Sequence, residues 1–236
     1  MNKNNNTYVC GDLHGTLEIN KLSKKRWPEQ KQFDGSEVLI QVGDFGLIWD
    51  LTPTNEEKYW LDWLSDKPFT TVFIDGNHEN FDRLYKFPIE EKFGNPVHVI
   101  RDNIFHLNRG YLYKIYNKNF FCFGGAQSHD MIYRTEKISW WREELPTFKE
   151  MNRGIETIIN NKNNIDYVIT HTIPSNILIK CFLKNNYKIN LLTEYFQNLI
   201  NTYKFNYTHW YAGHFHQDII VNDKFTILYN NIVKLK

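Results

Sequence analysis

The sequence has few cysteines, no long apolar run and almost no net charge. Its three cysteines, Cys10, Cys122 and Cys181, are far apart with apolar or aromatic neighbours, which predicts small buried thiols, not disulfides or a cysteine zinc site. No stretch approaches the roughly 18 consecutive apolar residues of a transmembrane helix. The polar start MNKNNNTYV also lacks the apolar region of a signal peptide. We therefore expect a cytoplasmic protein with no membrane partner.

Length and composition predict one globular domain over residues 1–236. With 42% hydrophobic and 16% aromatic residues, the chain can bury a substantial core. The formal net charge of +1 supplies no field that would recruit nucleic acid or an anionic membrane surface. A nucleic-acid partner would need a local basic patch and is unsupported by the overall charge, and the sequence leaves the oligomeric state open.

Short apolar runs alternate with helical patterns along the chain. Runs rich in Val, Ile, Tyr and Phe predict strands at 7–10, 37–42, 70–74, 97–100, 111–116, 119–123, 167–170 and 208–211, then a terminal hairpin of 218–221 and 225–229. Thr54 with Glu57, and Thr147 with Glu150, fit the capping-box pattern of a helix start. A third helix is predicted over 191–203. This alternation predicts an α/β fold with helices packed over sheets.

Polar side chains follow five of these predicted strands. The motifs GDLHG, GD, GNHE, a lone histidine and GHFH contain Asp12, His14, Asp44, Asn77, His78, His171, His214 and His216. The ends of strands in such sheets hold side chains in place while the following loops leave room for a ligand. One D-x-H triplet is common in turns, but five strands ending in this way indicate a shared site.

Seven of these residues can provide oxygen or nitrogen ligands to metal: Asp12, His14, Asp44, Asn77, His171, His214 and His216. Seven mixed donors are too many for one tetrahedral zinc and suit two five- or six-coordinate cations that share a bridging carboxylate. Two divalent cations with two aspartates give a centre of about +2, which attracts phosphate. Such a pair can activate a bridging water and hold phosphoryl oxygens during in-line displacement.

The order of these motifs resembles the calcineurin-like metallophosphoesterase superfamily. D-x-H at 12–14, GD at 43–44, GNHE at 76–79, the histidine at 171 and GHxH at 213–216 follow one another as in that superfamily. The stretches GDFGLIW, FIDGNHENFDRL and FGGAQSHDMIYR further resemble a group of bacterial and phage-encoded cytoplasmic metallophosphoesterases. The resemblance covers nearly the whole chain.

The resemblance implies a fold and a ligand set. The fold is a four-layer αββα sandwich of two mixed β-sheets flanked by helices, with a dinuclear metal site at the loop edge. One metal would be held by Asp12, His14, Asp44 and His216, and the other by Asp44, Asn77, His171 and His214. Asp44, as the bridge, and His78 are the candidate catalytic residues. Asn77 and His78 would face the substrate, where His78 stabilises the transition state or protonates the leaving oxygen.

The segment after Asp44 departs from one branch of the superfamily. Protein Ser/Thr phosphatases continue as GDxVDRG, whose aspartate supports the catalytic histidine and whose arginine binds phosphate. Here Leu47 and Ile48 occupy those two positions. Arg134 is the candidate phosphate ligand because a guanidinium group suits phosphate geometrically, and Arg83 and Arg109 are its rivals.

The leading hypothesis is hydrolysis of a phosphomonoester, small phosphodiester or nucleotide by direct attack of a metal-bridging hydroxide on phosphorus. Two divalent ions are the expected cofactors, Mn first, with Fe, Zn, Co or Ni as alternatives that suit the same ligands. The alternatives are a nuclease or phosphodiesterase acting on nucleic acid, a protein Ser/Thr phosphatase and a catalytically silent metal-binding scaffold. The complete ligand set argues against the scaffold.

Overall fold

Two mixed β-sheets pack face to face in the structure, a computed structural model that describes residues 5–182 and 187–235. The strands in the described residues are β1 Thr7–Cys10, β2 Glu37–Gln41, β3 Phe69–Phe73, β4 Ile89–Lys92, β5 Asn95–Arg101, β6 Ile104–Leu107, β7 Tyr111–Ile115, β8 Lys118–Phe123, β9 Tyr167–Thr170, β10 His209–Ala212, β11 Ile219–Asn222, β12 Phe225–Ile227 and β13 Ile232–Lys234. The first sheet has the order β13-β1-β2-β3-β6-β5-β4, and the second has the order β11-β12-β10-β9-β8-β7. In each sheet, central parallel strands are bordered by antiparallel ones.

Helices cover the outer face of each sheet. They are α1 Asn55–Ser65, α2 Phe81–Leu84, α3 Phe148–Asn161, α4 Ser175–Phe182 and α5 Leu191–Asn198. Leu61 and Leu64 of α1 pack in a cluster with side chains of the first sheet, and Ile158, Leu178 and Phe196 of α3, α4 and α5 pack with those of the second. The predicted α/β fold of two mixed sheets flanked by helices is confirmed.

The alternation of side chains along each strand fills both the space between the sheets and the space under the helices. In β2, Val38 and Ile40 point into the cluster between the sheets, whereas Leu39 lies in the cluster under α1. Both faces of the central strands are therefore apolar, as expected of buried parallel strands. Each fully buried aliphatic side chain contributes about 1.5–3 kcal/mol relative to exposure.

The predicted strand ends lie within two residues of the observed ones, but three strands were not predicted. The sequence of β4, IEEK, is exposed throughout and has no apolar alternation, and β6 follows β5 after only two residues. The 218–229 hairpin forms as β11 and β12. It is not terminal, because β13 follows it and pairs antiparallel with β1 in the other sheet. A partner more than 200 residues away leaves no local signal in a three-residue strand.

The helix starts follow the sequence prediction in one case and depart from it in another. Thr147 and Glu150 form both halves of a capping box. Thr54 accepts from the Glu57 backbone N–H, but the Glu57 side chain pairs with Arg83 at 2.6 Å, so the predicted second half of that box is wrong. The predicted helix over 191–203 is α-helical to residue 198 and continues as a π-helical turn, Leu199–Tyr203.

A buried ion network holds the end of β3. The Asp75 carboxylate accepts from Arg109 Nε at 2.8 Å and lies 3.1 Å from His106 Nε2, and all three side chains are buried. Arg109 also donates to the Glu143 carbonyl. Burial alone would raise the pKa of Asp75, but Arg109 and His106 outweigh it and lower the pKa to about 2. An ionised Asp75 therefore anchors the start of the 76–79 loop.

We expect Asp75→Asn to lower the free energy of unfolding at pH 7 by about 3–5 kcal/mol, because it leaves Arg109 buried without its partner. The matched change Asp62→Asn, whose ion pair with Arg101 is half-exposed, should cost about 0–1 kcal/mol. The pKa of Asp75 is about 2 in the folded protein, below its ordinary value of 3.8 in an unfolded chain. Its contribution is therefore present above pH 4 and lost as the pH falls toward 2. Urea unfolding across this range measures both effects, and equal losses in the two variants would contradict the assignment.

Candidate metal centre

The side chains singled out in the five motifs meet at one edge of the two sheets. One group whose ligand atoms lie within 4.8 Å of one another consists of Asp12, His14, Asp44 and His216. A second group consists of Asp44, His171 and His214. Asp44 belongs to both groups, so the arrangement has the form of two adjoining metal positions with one shared carboxylate.

Asp44 joins the loops that carry these groups. Its Oδ1 accepts from the backbone N–H groups of Asn77 and His78, each at 2.8 Å, while its Oδ2 lies 3.1 Å from His14 Nε2. Gly76 makes this approach possible, because a Cβ there would overlap the Asp44 carboxylate. The GD and GNHE motifs are thus two halves of one structure, which explains why glycine precedes Asn77.

Four side chains of the two groups extend from left-handed backbone. The φ angles are +43° at His14, +54° at Asp44, +72° at His214 and +50° at His216. Each such conformation costs of order 1–3 kcal/mol in a residue other than glycine and concentrates at functional sites. The surrounding structure must therefore hold these residues in place, and the sharp turns direct their side chains toward a common point.

Contacts on the far side of two histidine rings set which nitrogen faces the centre. Nδ1 of His14 lies 3.0 Å from a Glu18 oxygen, and Nδ1 of His171 donates to the Val42 carbonyl at 2.8 Å. The Nε2 atom of each ring then faces inward. This arrangement is the usual one for metal-binding histidines, whose second nitrogen donates to a carboxylate or a carbonyl.

Four buried polar atoms at this point form no hydrogen bond with any described residue: His14 Nε2, Asp44 Oδ2, Asn77 Oδ1 and His171 Nε2. Buried polar atoms without partners cost about 1–3 kcal/mol each, and native structures contain few of them. A cluster of four nitrogen and oxygen lone pairs fits a divalent cation, which would satisfy them together. The donor set therefore fits the metals that the sequence predicts.

The carboxylates of the cluster suit cations, which would displace the proton of His171 on binding. Burial raises the pKa of Asp44, but the charge of His171 and the close approach of the His14 and His171 rings, 3.1 and 3.2 Å from its oxygens, outweigh it and lower that pKa well below its usual range. Burial raises the pKa of Asp12 to about 6, although His171 opposes the effect. For His171, burial lowers the pKa, but the two carboxylates raise it to about 9. Asp44 is therefore ionised throughout the neutral range, as a bridging ligand must be.

Two charged residues whose roles were not predicted from the sequence support the centre. The Lys21 amine is buried and donates to the carbonyls of Gly11, Asp12 and Tyr229, so it holds the loop of the first motif against the chain end. Glu79, the last residue of GNHE, accepts from the Phe45 backbone N–H at 2.7 Å and orders the turn after the GD motif. Both side chains form hydrogen bonds with backbone groups that are distant in the chain, and a local sequence pattern does not reveal such contacts.

Asn77 is oriented by Ser128, which the sequence also did not indicate. The Asn77 Nδ2 amide donates to Ser128 Oγ at 3.2 Å, and Asn77 Oδ1 is left facing the cluster. The Ser128 backbone N–H and its hydroxyl both donate to Glu144, so Ser128 is itself held in place. Burial raises the pKa of Glu144 to about 7, with Ser128 opposing the effect.

His78 lies beside the cluster, next to aromatic side chains. Its ring is 5.0 Å from that of His14 and 5.5 Å from that of Trp49. Burial lowers the pKa of His78, and the Asp44 carboxylate opposes the effect without cancelling it. The ring is therefore neutral at pH 7 and carries one N–H. A hydrogen bond from this N–H to a phosphate oxygen suits that state better than transfer of a full proton.

The three candidate arginines are in different environments. Arg109 is buried on Asp75, and Arg83 is bonded through both of its terminal nitrogens to Glu57, so both rivals are already engaged. Arg134 pairs with Asp130 at 2.7 Å and lies close enough to His78 to lower the pKa of that ring. Of the three, Arg134 is the one whose charge acts on His78, and its role as a phosphate ligand stays a prediction.

The positions where the protein Ser/Thr phosphatase branch has aspartate and arginine are part of the core here. Leu47 and Ile48 are almost fully buried and pack under α1 with the first sheet. The ring of the next residue, Trp49, packs beside His78, whereas the phosphatases have an aspartate beside their catalytic histidine. The local sequence GDFGLIW therefore forms an apolar turn, not a phosphate-binding one.

Comparison with known protein families identifies the class. The chain matches the family model for calcineurin-like phosphoesterases over residues 6–218, and it belongs to that family. The match spans every motif of the site. A search of curated proteins finds no match. Membership of this family supports a metal-dependent phosphoesterase in general, and the Asp and His groups described above could bind its metal ions.

In the described residues, no helix is long and apolar enough to cross a membrane.

We expect Ser128→Ala to weaken binding at one of two Mn²⁺ positions by about 10–100-fold, because the Asn77 amide loses the contact that turns its oxygen inward. Calorimetric titration of the metal-stripped protein with Mn²⁺ measures this without an activity assay. Ser139→Ala is the matched control, since that hydroxyl lies on the same segment and bonds Thr135. Equal Mn²⁺ affinities in the two variants would contradict an orienting role for Ser128.

Proposed function

We propose that this protein hydrolyses a small phosphoester, a phosphomonoester, a small phosphodiester or a nucleotide, at a centre of two divalent cations. The observation that carries the proposal is the convergence of Asp and His side chains in two groups that share Asp44, with three unpartnered buried ligand atoms among them and a fourth, Asn77 Oδ1, on the adjoining loop. A single cation would leave part of this donor set unused, whereas two cations use all of it.

The proposed ligands follow the two groups. Asp12, His14, Asp44 and His216 hold the first cation, and Asp44, Asn77, His171 and His214 hold the second. When bound, the two cations would activate water and neutralise charge on the phosphoryl group. Mn²⁺ is our first assignment, because carboxylate, amide and imidazole ligands suit it, and Fe, Zn, Co and Ni are the alternatives.

The reaction is hydrolysis without a covalent enzyme intermediate. Water adds to phosphorus, the ester P–O bond breaks, and the leaving oxygen departs as an alcohol after gaining a proton. His78 donates a hydrogen bond to a phosphoryl or leaving oxygen, and Arg134 exchanges part of its contact with Asp130 for a phosphate oxygen. Asp44 keeps the loop of Asn77 and His78 in register with the rest of the centre.

Several observations argue against the alternative functions. The buried Leu47 and Ile48 remove the phosphate-binding features of the protein Ser/Thr phosphatases. The net charge of +1 gives no support to a nucleic-acid substrate. All seven proposed ligands are in place, unlike in a scaffold that has lost its chemistry. A single domain and a cytoplasmic location remain part of the same proposal.

We expect metal-stripped protein to hydrolyse p-nitrophenyl phosphate or bis-p-nitrophenyl phosphate only after Mn²⁺ is restored. Asp44→Asn should abolish this activity, because it weakens both metal positions at once. His78→Ala should retain Mn²⁺ binding and lower kcat/KM by about 10²–10³-fold, the range for loss of one hydrogen-bond donor to the charge of the transition state.

His209→Ala is the control for the histidine variant, because that ring lies at the opposite end of β10 and bonds Thr226. It should leave kcat/KM unchanged. Metal-dependent turnover that survives in Asp44→Asn at the wild-type rate would overturn the two-metal assignment.

A further inference from the structure

Two separate pockets border the candidate metal centre. The first, which we call the His214 pocket, has a volume of about 190 Å³ and lies between residues 127–132 and 187–193. The second, the Trp49 cleft, has a volume of about 350 Å³ and is lined by residues 14–17, 46–47, 49–50, 54, 56–57 and 78. The two pockets share no lining residue. His214 belongs to one of the two metal-binding groups and His14 to the other, so each metal position has its own adjoining pocket.

The His214 pocket suits an apolar or aromatic group with a polar edge. Its wall includes the rings of Tyr187 and Phe215, whose centroids lie 4.8 Å apart, and the buried side chain of Leu178. Polar groups are supplied by residues such as Gln127 and Lys188. Among the described residues that line this pocket, none is a carboxylate.

The Trp49 cleft is acidic, unlike the His214 pocket. Three of its lining residues are acidic, and one of them, Glu57, is neutralised by Arg83. Asp50 and Glu56 are exposed, and their carboxylates form no ion pair in the part of the chain that the structure describes. The half-buried Trp49 ring lies 5.5 Å from the His78 ring, and both line the cleft together with these carboxylates. An aromatic ring with two free carboxylates favours a cationic group and repels an anionic one.

We propose that the substrate is a small phosphodiester with two unlike substituents. An aromatic or apolar substituent occupies the His214 pocket, and a neutral or cationic substituent lies in the Trp49 cleft. This inference rests on the proposed phosphoesterase function and narrows its substrate class. Hydrolysis adds one water, breaks one of the two ester P–O bonds, and releases an alcohol and a phosphomonoester.

The two pockets explain why a diester fits better than its competitors. A phosphomonoester has one substituent, so it leaves one pocket without an occupant. A nucleoside di- or triphosphate would place further negative charge beside the metals, and its length would bring that charge toward Asp50 or Glu56. A diester carries a single negative charge at phosphorus and has a substituent for each pocket.

The test uses the full-length Mn²⁺-loaded protein and four p-nitrophenyl substrates. Three are diesters whose second group is 2-(trimethylammonio)ethyl, 2-methoxyethyl or 2-carboxyethyl, and the fourth is p-nitrophenyl phosphate. Loss of substrate, followed by ³¹P NMR, gives kcat/KM whichever bond breaks. We expect the cationic and neutral diesters to exceed the monoester, and the anionic diester to fall at least about tenfold below the cationic one because of like-charge repulsion.

Charge reversal in the cleft tests the orientation. Glu56→Lys should lower kcat/KM for the cationic diester and raise it for the anionic one. Glu156→Lys, at an exposed acid on α3 outside both pockets, should leave the order unchanged.

A substitution in the His214 pocket tests whether the aromatic substituent binds there. Ile132 lines this pocket with an 80% exposed side chain, so the fold should tolerate its replacement. Ile132→Asp should raise KM for the p-nitrophenyl diesters more than for a fifth substrate without an aromatic group, the phosphodiester of methanol and 2-methoxyethanol. Ile159→Asp, at an exposed site on α3, is its control.

The outcomes separate this inference from the proposed function. A monoester that is hydrolysed faster than all three diesters overturns the inference and leaves a phosphoesterase in place. If wild type and Glu56→Lys show the same preference among the charged diesters, the cleft assignment is wrong. If Mn²⁺ binds but none of the four substrates is hydrolysed with Mn, Fe, Zn, Co or Ni, both the inference and the proposed function fail.

Discussion

The candidate site depends on the contacts of one carboxylate, that of Asp44. It accepts two backbone N–H groups from the 76–79 loop and faces the rings of His14 and His171. These contacts join the ends of β2 and β3 in the first sheet to the end of β9 in the second. The two groups of candidate metal ligands can share one carboxylate only because Asp44 lies where the two sheets meet.

Several features around Asp44 are unfavourable on their own. The backbone is left-handed at four residues of the cluster, histidine nitrogens are buried without partners, and two aspartates lie close together. The remainder of the fold compensates for them. The Asp75–Arg109 network fixes the end of β3, and Lys21 bonds the loop of the first motif to the Tyr229 carbonyl. Three apolar clusters fill the spaces between the four layers. These contacts hold the side chains of the candidate centre together in the absence of a bound cation.

The substrate class is decided beside the centre and not within it. Family membership and the motif residues support phosphoester hydrolysis, but those residues are the same whatever is attached to the phosphate. The surfaces that we propose to be selective come from the segments 46–57, 127–132 and 187–193, which border one candidate metal position with an acidic, aromatic cleft and the other with an apolar pocket. Charges and shapes on these loops therefore carry the information about substrate that the motifs lack.

The sequence by itself determined the class of fold, most strands to within two residues, and the residues that meet at the centre. This was possible because apolar alternation is a local signal and because each motif directly follows its strand. It did not determine β13, the second half of the Thr54 cap, or the roles of Lys21, Ser128, Asp75 and Glu79. Only the tertiary structure decided these, since each depends on a partner that is distant in the chain. The same holds for the arginines, which look alike as sequence and differ only in the carboxylate that each one meets.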